Sequence, residues 1–320
     1  DVKKATLELY FELSFFCDMY NLAKSLPEAY TEYIHREGND CVYNLVCTDP
    51  SELIRLACSK VRSTVFFSAT LSPFSYYLRM LGHTQDDECI DIPSPFPPEN
   101  QLCCIYKNLS TRFRDRQNSL ENVCDIVYKA CGGKIGNYMV FFPSYNYMQT
   151  CFDEFCAEYP QLRCEMQTPN MTPEQKREFL NLFKPDPKET LIVFALCGGM
   201  FSEGVDLAGD RLSGAVIIGT GMPGISFERD LLKEHFDKAL GEYQGFNYAY
   251  TYTGLNHVFQ SGGRVIRSQS DVGFIVLADD RYMKMSHRRN FPGSWYGYKI
   301  VNDTEQLGNI INDFWKKHNG

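Results

Sequence analysis

Residues Thr190–Leu196 read TLIVFAL, an almost unbroken run of aliphatic and aromatic side chains. A strand covered on both faces of a parallel sheet has this continuous apolar character. Helix-like segments at 50–58, 112–131, 145–159, 172–183 and 225–240 alternate with such runs. The alternation predicts an α/β fold with a doubly wound parallel sheet. The other predicted strands are Cys41–Cys47, Thr64–Ala69, Gln101–Tyr106, Tyr138–Phe142, Gly214–Gly219 and Gly273–Ala278.

The composition is that of a folded globular protein. Of 320 residues, 44% are hydrophobic and 22% charged, with a formal net charge of −8, which excludes disordered, collagen-like and mucin-like classes. No stretch approaches the roughly 18 consecutive apolar residues of a membrane span, and the N-terminal residues do not resemble a signal peptide. The 13 cysteines form no CxxC pair. We therefore expect reduced cysteines, largely buried, of a cytoplasmic protein, and no metal site within this chain.

A proline-rich stretch divides the chain. Ile92–Asn100 reads IPSPFPPEN and holds four of the 15 prolines, which fix φ and remove hydrogen-bond donors. We predict a linker at 92–104, preceded by helices (1–37) and a partial sheet (40–85) that together make up residues 1–91. Residues 105–320 are predicted to form one complete α/β domain. Because the chain also lacks an initiator Met, we expect a fragment.

The segment Gln260–Arg267 reads QSGGRVIR. If it is helical, Gln260, Arg264 and Arg267 lie at i, i+4 and i+7 and project from one face. Two guanidinium groups and an amide form a donor array suited to phosphate oxygens. The alternative is a solvated helix whose arginines pair with Asp271 or Asp279.

A glycine-rich segment, Gly199–Leu207 (GMFSEGVDL), follows the strand Thr190–Leu196. Turns at the carboxyl ends of strands in open α/β sheets are where ligands bind. Glu203 and Asp206 would hold a water or a metal-bound water, or fix an arginine from the preceding element. The alternative is a loop with two exposed carboxylates.

Two further segments place small hydroxyl residues at strand ends. In Ser68–Pro73 (SATLSP), Ser68 and Thr70 could bond backbone, phosphate or a carboxylate, or simply form a turn before a helix. In Phe142–Tyr145 (FPSY), Ser144 and a helix N-terminus form a candidate phosphate site, with an ordinary N-cap as the alternative.

The order and spacing of these four segments, followed by Asp271-x-Gly273 and Asp279-x-Arg281, resemble the DinG/XPD-like branch of superfamily 2 DNA helicases. Their order in the chain, SATLSP, FPSY, GMFSEGVDL and QSGGRVIR, matches that of helicase motifs III, IV, V and VI. The resemblance covers roughly residues 40–285.

The resemblance implies two RecA-like motor lobes that bind ATP between them. It implies that Arg264 and Arg267 are arginine fingers and that Gln260 positions the nucleotide or the attacking water. It implies further roles for seven other residues. These are nucleotide binding for Gly263, Glu203 and Asp206, coupling of hydrolysis to lobe movement for Ser68 and Thr70, and DNA binding for Ser144 and Tyr145.

Two elements of the family pattern are absent from the sequence, a GxxxxGK[ST] phosphate loop and a DEAH-type box. In the family both lie upstream, in the first lobe, as do the iron–sulfur cysteines where these are present. We therefore expect the last part of lobe one and all of lobe two, with ATP and Mg²⁺ bound mainly by the missing motifs. The implied activity is ATP-driven 5′–3′ translocation on single-stranded or forked DNA.

The net charge of −8 argues against nucleic-acid binding, which requires a basic surface. Two local patches oppose it, Lys107–Arg116 (KNLSTRFRDR) and Arg281–Arg289 (RYMKMSHRR), each with four basic residues. Either patch could be a solvated surface or could bind a strand, with bases stacked on aromatic side chains. The rival interpretation of the chain is a RecA-like binding or interaction module without ATPase activity.

Overall fold

A computed structural model of the chain describes residues 2–201 and 207–318. The chain divides into two compact units, an N-terminal unit (Asp1–Cys89 with Ile225–Ala249) and a C-terminal unit (Ile90–Gly224 with Tyr250–Gly320). The division assigns Ile225–Ala249 to the N-terminal unit, although the sequence predicted one continuous domain from residue 105. The C-terminal unit is therefore discontinuous in sequence, because residues 225–249 are inserted between its two segments.

The helices and strands follow one another in chain order. The helices are α1 Val2–Ser25, α2 Ser51–Cys58, α3 Phe74–Met80, α4 Leu120–Cys131, α5 Tyr145–Glu158, α6 Pro173–Leu180, α7 Phe227–Leu240, α8 Gln244–Phe246, α9 Tyr252–Gly262, α10 Met285–Arg288 and α11 Thr304–His318. The strands are β1 Tyr30–Glu37, β2 Asp40–Cys47, β3 Gln101–Tyr106, β4 Asn137–Phe142, β5 Arg163–Met166, β6 Leu191–Leu196, β7 Gly214–Ile218, β8 Gly273–Ala278 and β9 Lys299–Val301. Short 3₁₀ turns include Phe113–Asp115, Gln117–Ser119 and Gly209–Arg211.

The C-terminal unit is built on a seven-stranded sheet in the order β5-β6-β4-β7-β8-β3-β9. All its neighbouring strands pair in parallel, which confirms the predicted α/β fold. β3 begins at Gln101, so residues 101–104 of the predicted linker belong to the sheet. The strands β5 and β9 were not predicted.

Alternate residues of each strand enter two separate cores, because successive side chains in a strand point to opposite faces. One core packs α4, α5 and α11 against residues such as Val140, Phe142 and Val276. The other packs α9 and the end of α6 against Phe141, Ile217 and Ile275. Since the strands are parallel, their carboxyl ends form one edge of the sheet and their amino ends the other.

The N-terminal unit differs from the sequence prediction in two ways. Residues 30–37 form a strand, not a helix, and pair with β2 as an antiparallel hairpin closed at Gly38, where φ is +62°. Thr64–Ala69 is not a strand, and Phe67 is 89% exposed. A strand requires a partner for its backbone groups, and no strand among the described residues pairs with this segment. The predicted partial sheet is thus reduced to the β1–β2 hairpin.

α7 contacts the rest of the N-terminal unit through a buried carboxylate. Asp49 lies 3.0 Å from the Arg79 guanidinium and 3.7 Å from His235 on α7. Burial would raise the pKa of Asp49, but bonds from Ser51 and the charges of Arg79 and His235 hold it below its usual value. Tyr33 on β1 adds a hydrogen bond of 2.5 Å to Glu228. These contacts explain why residues 225–249 group with this unit.

All 13 cysteines are free thiols, and those of α4 and α5 at 124, 131 and 151 are buried. Four others, including Cys58 and Cys156, are partly exposed and four are exposed, so only five of the 13 are buried and the expectation that they are largely buried is wrong. Across residues 2–201 and 207–318, no helix has both the length and the apolar character needed to cross a bilayer.

Candidate functional site

The segment Lys107–Ser119 crosses the carboxyl edge of the sheet after β3. Thr111 bonds to Asp279, which follows β8. Arg116 bonds to Ser144, which follows β4. Between them, a Cβ at Gly219 would come within 2.8 Å of the Thr111 hydroxyl, so only glycine permits this approach after β7. The predicted helix at 112–131 therefore begins only at Leu120, because its first residues form turns along this edge.

Asp279 fixes this crossing segment to β8. Its buried carboxylate accepts from the Thr111 hydroxyl (2.6 Å) and from Arg281 Nε (2.7 Å). Arg281 Nη2 also donates to the Thr111 hydroxyl at 2.9 Å. Burial would raise the pKa of Asp279, but the Arg281 ion pair and the Thr111 bonds lower it, so the group stays ionised.

Arg116 contacts the predicted DNA-binding residue Ser144. Its Nη1 donates to Ser144 Oγ at 3.1 Å, and its guanidinium lies 5.0 Å from the centre of the Tyr147 ring. Ser144 is the N-cap of α5 in extended conformation, yet its hydroxyl caps no amide of that helix. Burial lowers the pKa of Arg116, but a guanidinium remains charged at neutral pH. A cation and a helix N-terminus thus meet at Ser144, a combination that favours an anion.

Tyr145, the other predicted DNA-binding residue, is partly buried. Its ring packs against the core under α5, and its hydroxyl oxygen is buried. Burial raises the pKa of Tyr145, and Gln167 beside it opposes that rise. These contacts indicate that Tyr145 packs α5 against the core. The contact of Tyr145 with DNA stays a prediction.

The two basic patches of the sequence come together at the carboxyl edge. Arg112 Nη1 lies 2.8 Å from Asp280, the residue before Arg281. The segments 107–116 and 279–281 together hold five basic and three acidic residues. These two segments together are therefore positive by two charges, in a chain whose net charge is −8.

Motif VI lies at the other edge. α9 ends at Gly262, so only Gln260 is helical, and the predicted single helical face for Gln260, Arg264 and Arg267 is wrong. The glycine pair explains the helix end: two glycines are poor helix formers, and a Cβ at Gly262 would lie 2.6 Å from the Trp295 ring. Arg264 then lies in a turn and Arg267 in the loop before β8, at the amino edge of the sheet.

Asp271 organises this loop. Its carboxylate is 2% exposed and accepts from the amides of Arg267 (2.6 Å) and Ser268 (2.8 Å), from the Ser268 hydroxyl (2.7 Å) and from the Gly209 amide (3.0 Å). Burial would raise the pKa of Asp271, but these bonds outweigh burial and lower it. Asp271 therefore ties the motif VI arginine loop to the chain that follows motif V.

Only part of motif V can be placed. Glu203 and Asp206 lie outside the described residues. Before them, Gly198 has φ of +73° and packs so closely on α9 that a Cβ would lie 2.5 Å from the His257 ring. The residue directly before motif V thus packs against α9, the helix that leads into motif VI.

The motif III residues belong to the N-terminal unit. The Ser68 hydroxyl accepts from the Thr70 amide at 3.1 Å, which is the turn that the sequence left open as an alternative. Their predicted coupling role stays a prediction, as do the nucleotide roles of Gly263, Glu203 and Asp206.

Sequence reasoning missed the structural roles of Thr111, Arg116 and Asp271. Spacing gives no signal for the Thr111–Asp279 or Gly209–Asp271 bonds, since each joins residues far apart in the chain. For Arg116 a signal existed, namely the density of arginines between 112 and 116.

The family described as helicase C-terminal domain matches residues 127–297, more than half of the chain. Curated relatives include the general transcription and DNA repair factor IIH helicase subunit XPD of Dictyostelium discoideum, 26% identical over 81% of this chain and 35% of the relative. The ATP-dependent DNA helicase chl1 of Schizosaccharomyces pombe is 24% identical over 92% of this chain and 37% of the relative. The chain thus spans about a third of the length of these relatives.

A solved XPD helicase superposes with a TM-score of 0.63 at 16% identity, covering 88% of this chain and 49% of the solved one. The Xpd4 structure from S. tokodaii superposes with a TM-score of 0.55 at 15% identity, covering 82% and 50%. These superpositions establish the fold that the seven parallel strands share with helicase motor domains. The chain belongs to the helicase C-terminal domain family, in its XPD/DinG-like form within superfamily 2.

Proposed function

We propose that this chain is the second motor lobe, with the end of the first, of an ATP-dependent DNA helicase. The observation that carries the proposal is the position of two basic sites at opposite ends of the same parallel strands. The motif VI loop lies at the amino edge, and Arg116 with Ser144 lies at the carboxyl edge. A rigid sheet between two sites is suited to transmit movement from one to the other.

The nucleotide site would use Arg264 and Arg267 on the loop that Asp271 fixes. Two guanidinium groups that follow Gln260 in the chain, on the loop after α9, supply several N–H donors in planar arrays, so the residues present fit the oxygens of a polyphosphate. ATP, when bound, supplies the phosphoryl group whose transfer to water releases free energy. The arginines would bind its phosphate oxygens and stabilise negative charge that develops there. Mg²⁺ would be held mainly by a phosphate loop and acidic box, which this sequence lacks.

The DNA site would lie at the carboxyl edge. Ser144, the α5 N-terminus and Arg116 would bind a backbone phosphate of a single strand or fork. Glu203 and Asp206 lie in the sequence between Ser144 and Arg264. They would couple changes at the nucleotide site to the bound DNA strand. Ser68 and Thr70 would perform the equivalent coupling from the first lobe.

Several finer properties rest on family resemblance alone. These are 5′–3′ translocation, an iron–sulfur cluster upstream, and action in DNA repair. The proposed location is the cytoplasm, in association with the nucleoid if the cell is bacterial.

The test is ATP turnover with and without single-stranded DNA. We expect no appreciable turnover from the 320-residue chain alone, and DNA-stimulated turnover from a longer product of the same gene that contains a phosphate loop. ATP turnover at a helicase rate by the chain alone would refute the proposal that hydrolysis requires a phosphate loop and acidic box that this sequence lacks. A longer product without any phosphate loop would support the rival, a binding module without ATPase activity.

A further inference from the structure

We propose that Phe113 is a base-stacking platform, on which one base of the bound single strand lies flat. This inference rests on the proposed DNA site and adds to it a contact with the bases. Phosphate contacts at Ser144 and Arg116 would hold the strand regardless of its bases, whereas an aromatic ring recognises that a base is present.

Phe113 is 88% exposed, more than any other large hydrophobic side chain among the described residues of the C-terminal unit. Leaving a phenyl ring in water forgoes the stabilisation that burial would give it. An exposed aromatic ring beside basic residues is typical of a surface that binds single-stranded nucleic acid.

The turn that carries Phe113 is fixed on both sides of the ring. Before it, Arg112 Nη1 donates to Asp280 and to the Ser110 hydroxyl, both at 2.8 Å. After it, Asp115 accepts from Ser110 Oγ at 2.5 Å, and its amide donates to the Arg112 carbonyl at 2.8 Å. The turn that carries the ring is thus fixed, so little backbone entropy is lost when a base stacks on Phe113.

A guanidinium group lies beside the ring. The Arg116 guanidinium lies 5.8 Å from the ring centre and also contacts Ser144. No carboxylate pairs with Arg116 in the parts of the chain that the structure describes. Arg114, next to Phe113 in the chain, is largely exposed and lies 3.5 Å from the Asp115 carboxylate. A base on Phe113 would therefore place its own phosphates among arginines, close to the candidate phosphate site at Ser144.

The experiment compares two fluorescent oligonucleotides of equal length, oligo-dT and a strand whose central positions are abasic. Binding to the 320-residue chain is followed by anisotropy at low salt. We expect Phe113→Ala to weaken binding of oligo-dT roughly 5- to 150-fold and to leave binding of the abasic strand unchanged. Phe113→Trp should restore binding of oligo-dT, and Phe113→Leu should not. The matched control is Tyr296→Ala, an aromatic ring 56% exposed before β9 at the amino edge, which should change neither affinity.

The outcomes separate this inference from the proposed function. If Phe113→Ala weakens both oligonucleotides equally, or neither, the stacking role is refuted while the DNA site stands. If the unmodified chain binds neither strand, the DNA site itself fails, and the stacking role with it. Because Phe113 is exposed, its loss should not unfold the unit, and unchanged circular dichroism checks this.

Discussion

Replacing Asp271 by Asn should destabilise the C-terminal unit and loosen the loop that carries Arg264 and Arg267. The carboxylate accepts four hydrogen bonds, from the amides of Arg267, Ser268 and Gly209 and from the Ser268 hydroxyl. An asparagine offers one acceptor oxygen, and its NH₂ group would face donors.

The magnitude follows from the bonds that are lost. The Asn oxygen can retain two of the four donors, so two bonds to a charged acceptor disappear in a site that is 2% exposed. Bonds to charged groups contribute about 1.5 to 3 kcal/mol each, so the expected loss is about 3 to 6 kcal/mol in the free energy of unfolding.

Tryptophan fluorescence during urea unfolding can isolate this unit. The chain has two tryptophans, and both Trp295 and Trp315 are buried in the C-terminal unit. Their signal therefore reports the unfolding of this unit alone, and the midpoint gives the free energy. The matched control is Asp313→Asn, which removes an exposed carboxylate paired with Lys316 and should change stability by less than about 0.5 kcal/mol. An Asp271→Asn variant as stable as that control would refute the bonding scheme.

The same variant has a defined pH dependence. The pKa of Asp271 is lowered in the folded state, so its contribution is complete above the unfolded pKa of about 3.9. The contribution is lost as the pH falls through the folded pKa. The stability difference between the variant and the unmodified chain should therefore be constant near neutral pH and shrink below about pH 4. A difference that grew on acidification would contradict the sign of the pKa shift.

Two further predictions use the chain alone. Asp279→Asn should lower the free energy of unfolding by about 3 to 5 kcal/mol in the same fluorescence assay, because it leaves the largely buried Arg281 without its counter-ion. A decrease below about 1 kcal/mol would mean that the contacts among Thr111, Asp279 and Arg281 do not fix the segment Lys107–Ser119. Limited proteolysis should cut first within the proline-rich stretch Ile92–Asn100, which is exposed and largely without regular structure; earlier cleavage inside β6 or β7 would contradict the assignment of the core sheet.

The central strands could be predicted because burial on both faces leaves a signal in the sequence itself. β4, β6, β7 and β8 are nearly continuous apolar runs, and all of them are buried. β9 is the outermost strand on one side of the sheet. It has three residues, which are too few to show a periodic pattern. Thr64–Ala69 carries the same apolar signal as β6 but no strand. An apolar run therefore indicates that a segment tends to be buried, whereas a strand forms only where a partner strand is present.

The site was predictable in its motifs and not in its geometry. The spacing of Gln260, Arg264 and Arg267 suggested one helical face, but the glycine pair at 262–263 ended the helix first. The cost of those glycines was visible in the sequence, whereas the close approach of Trp295 that requires Gly262 depends on a contact distant in the chain. The meeting of Arg112 with Asp280 likewise depends on β3 lying beside β8.

The central claim is that the nucleotide and the strand are bound at opposite edges of one sheet. It is tested most directly by ATP turnover, as a function of DNA concentration, in a longer gene product that hydrolyses ATP. Arg264→Ala should lower maximal turnover by roughly 10³- to 10⁵-fold, as should Arg264→Lys to a similar degree, with the Kd for single-stranded DNA unchanged. Arg116→Ala should instead raise the DNA concentration for half-maximal stimulation. If Arg264→Ala leaves turnover intact, or if both variants change only the DNA affinity, the assignment of the two edges is wrong.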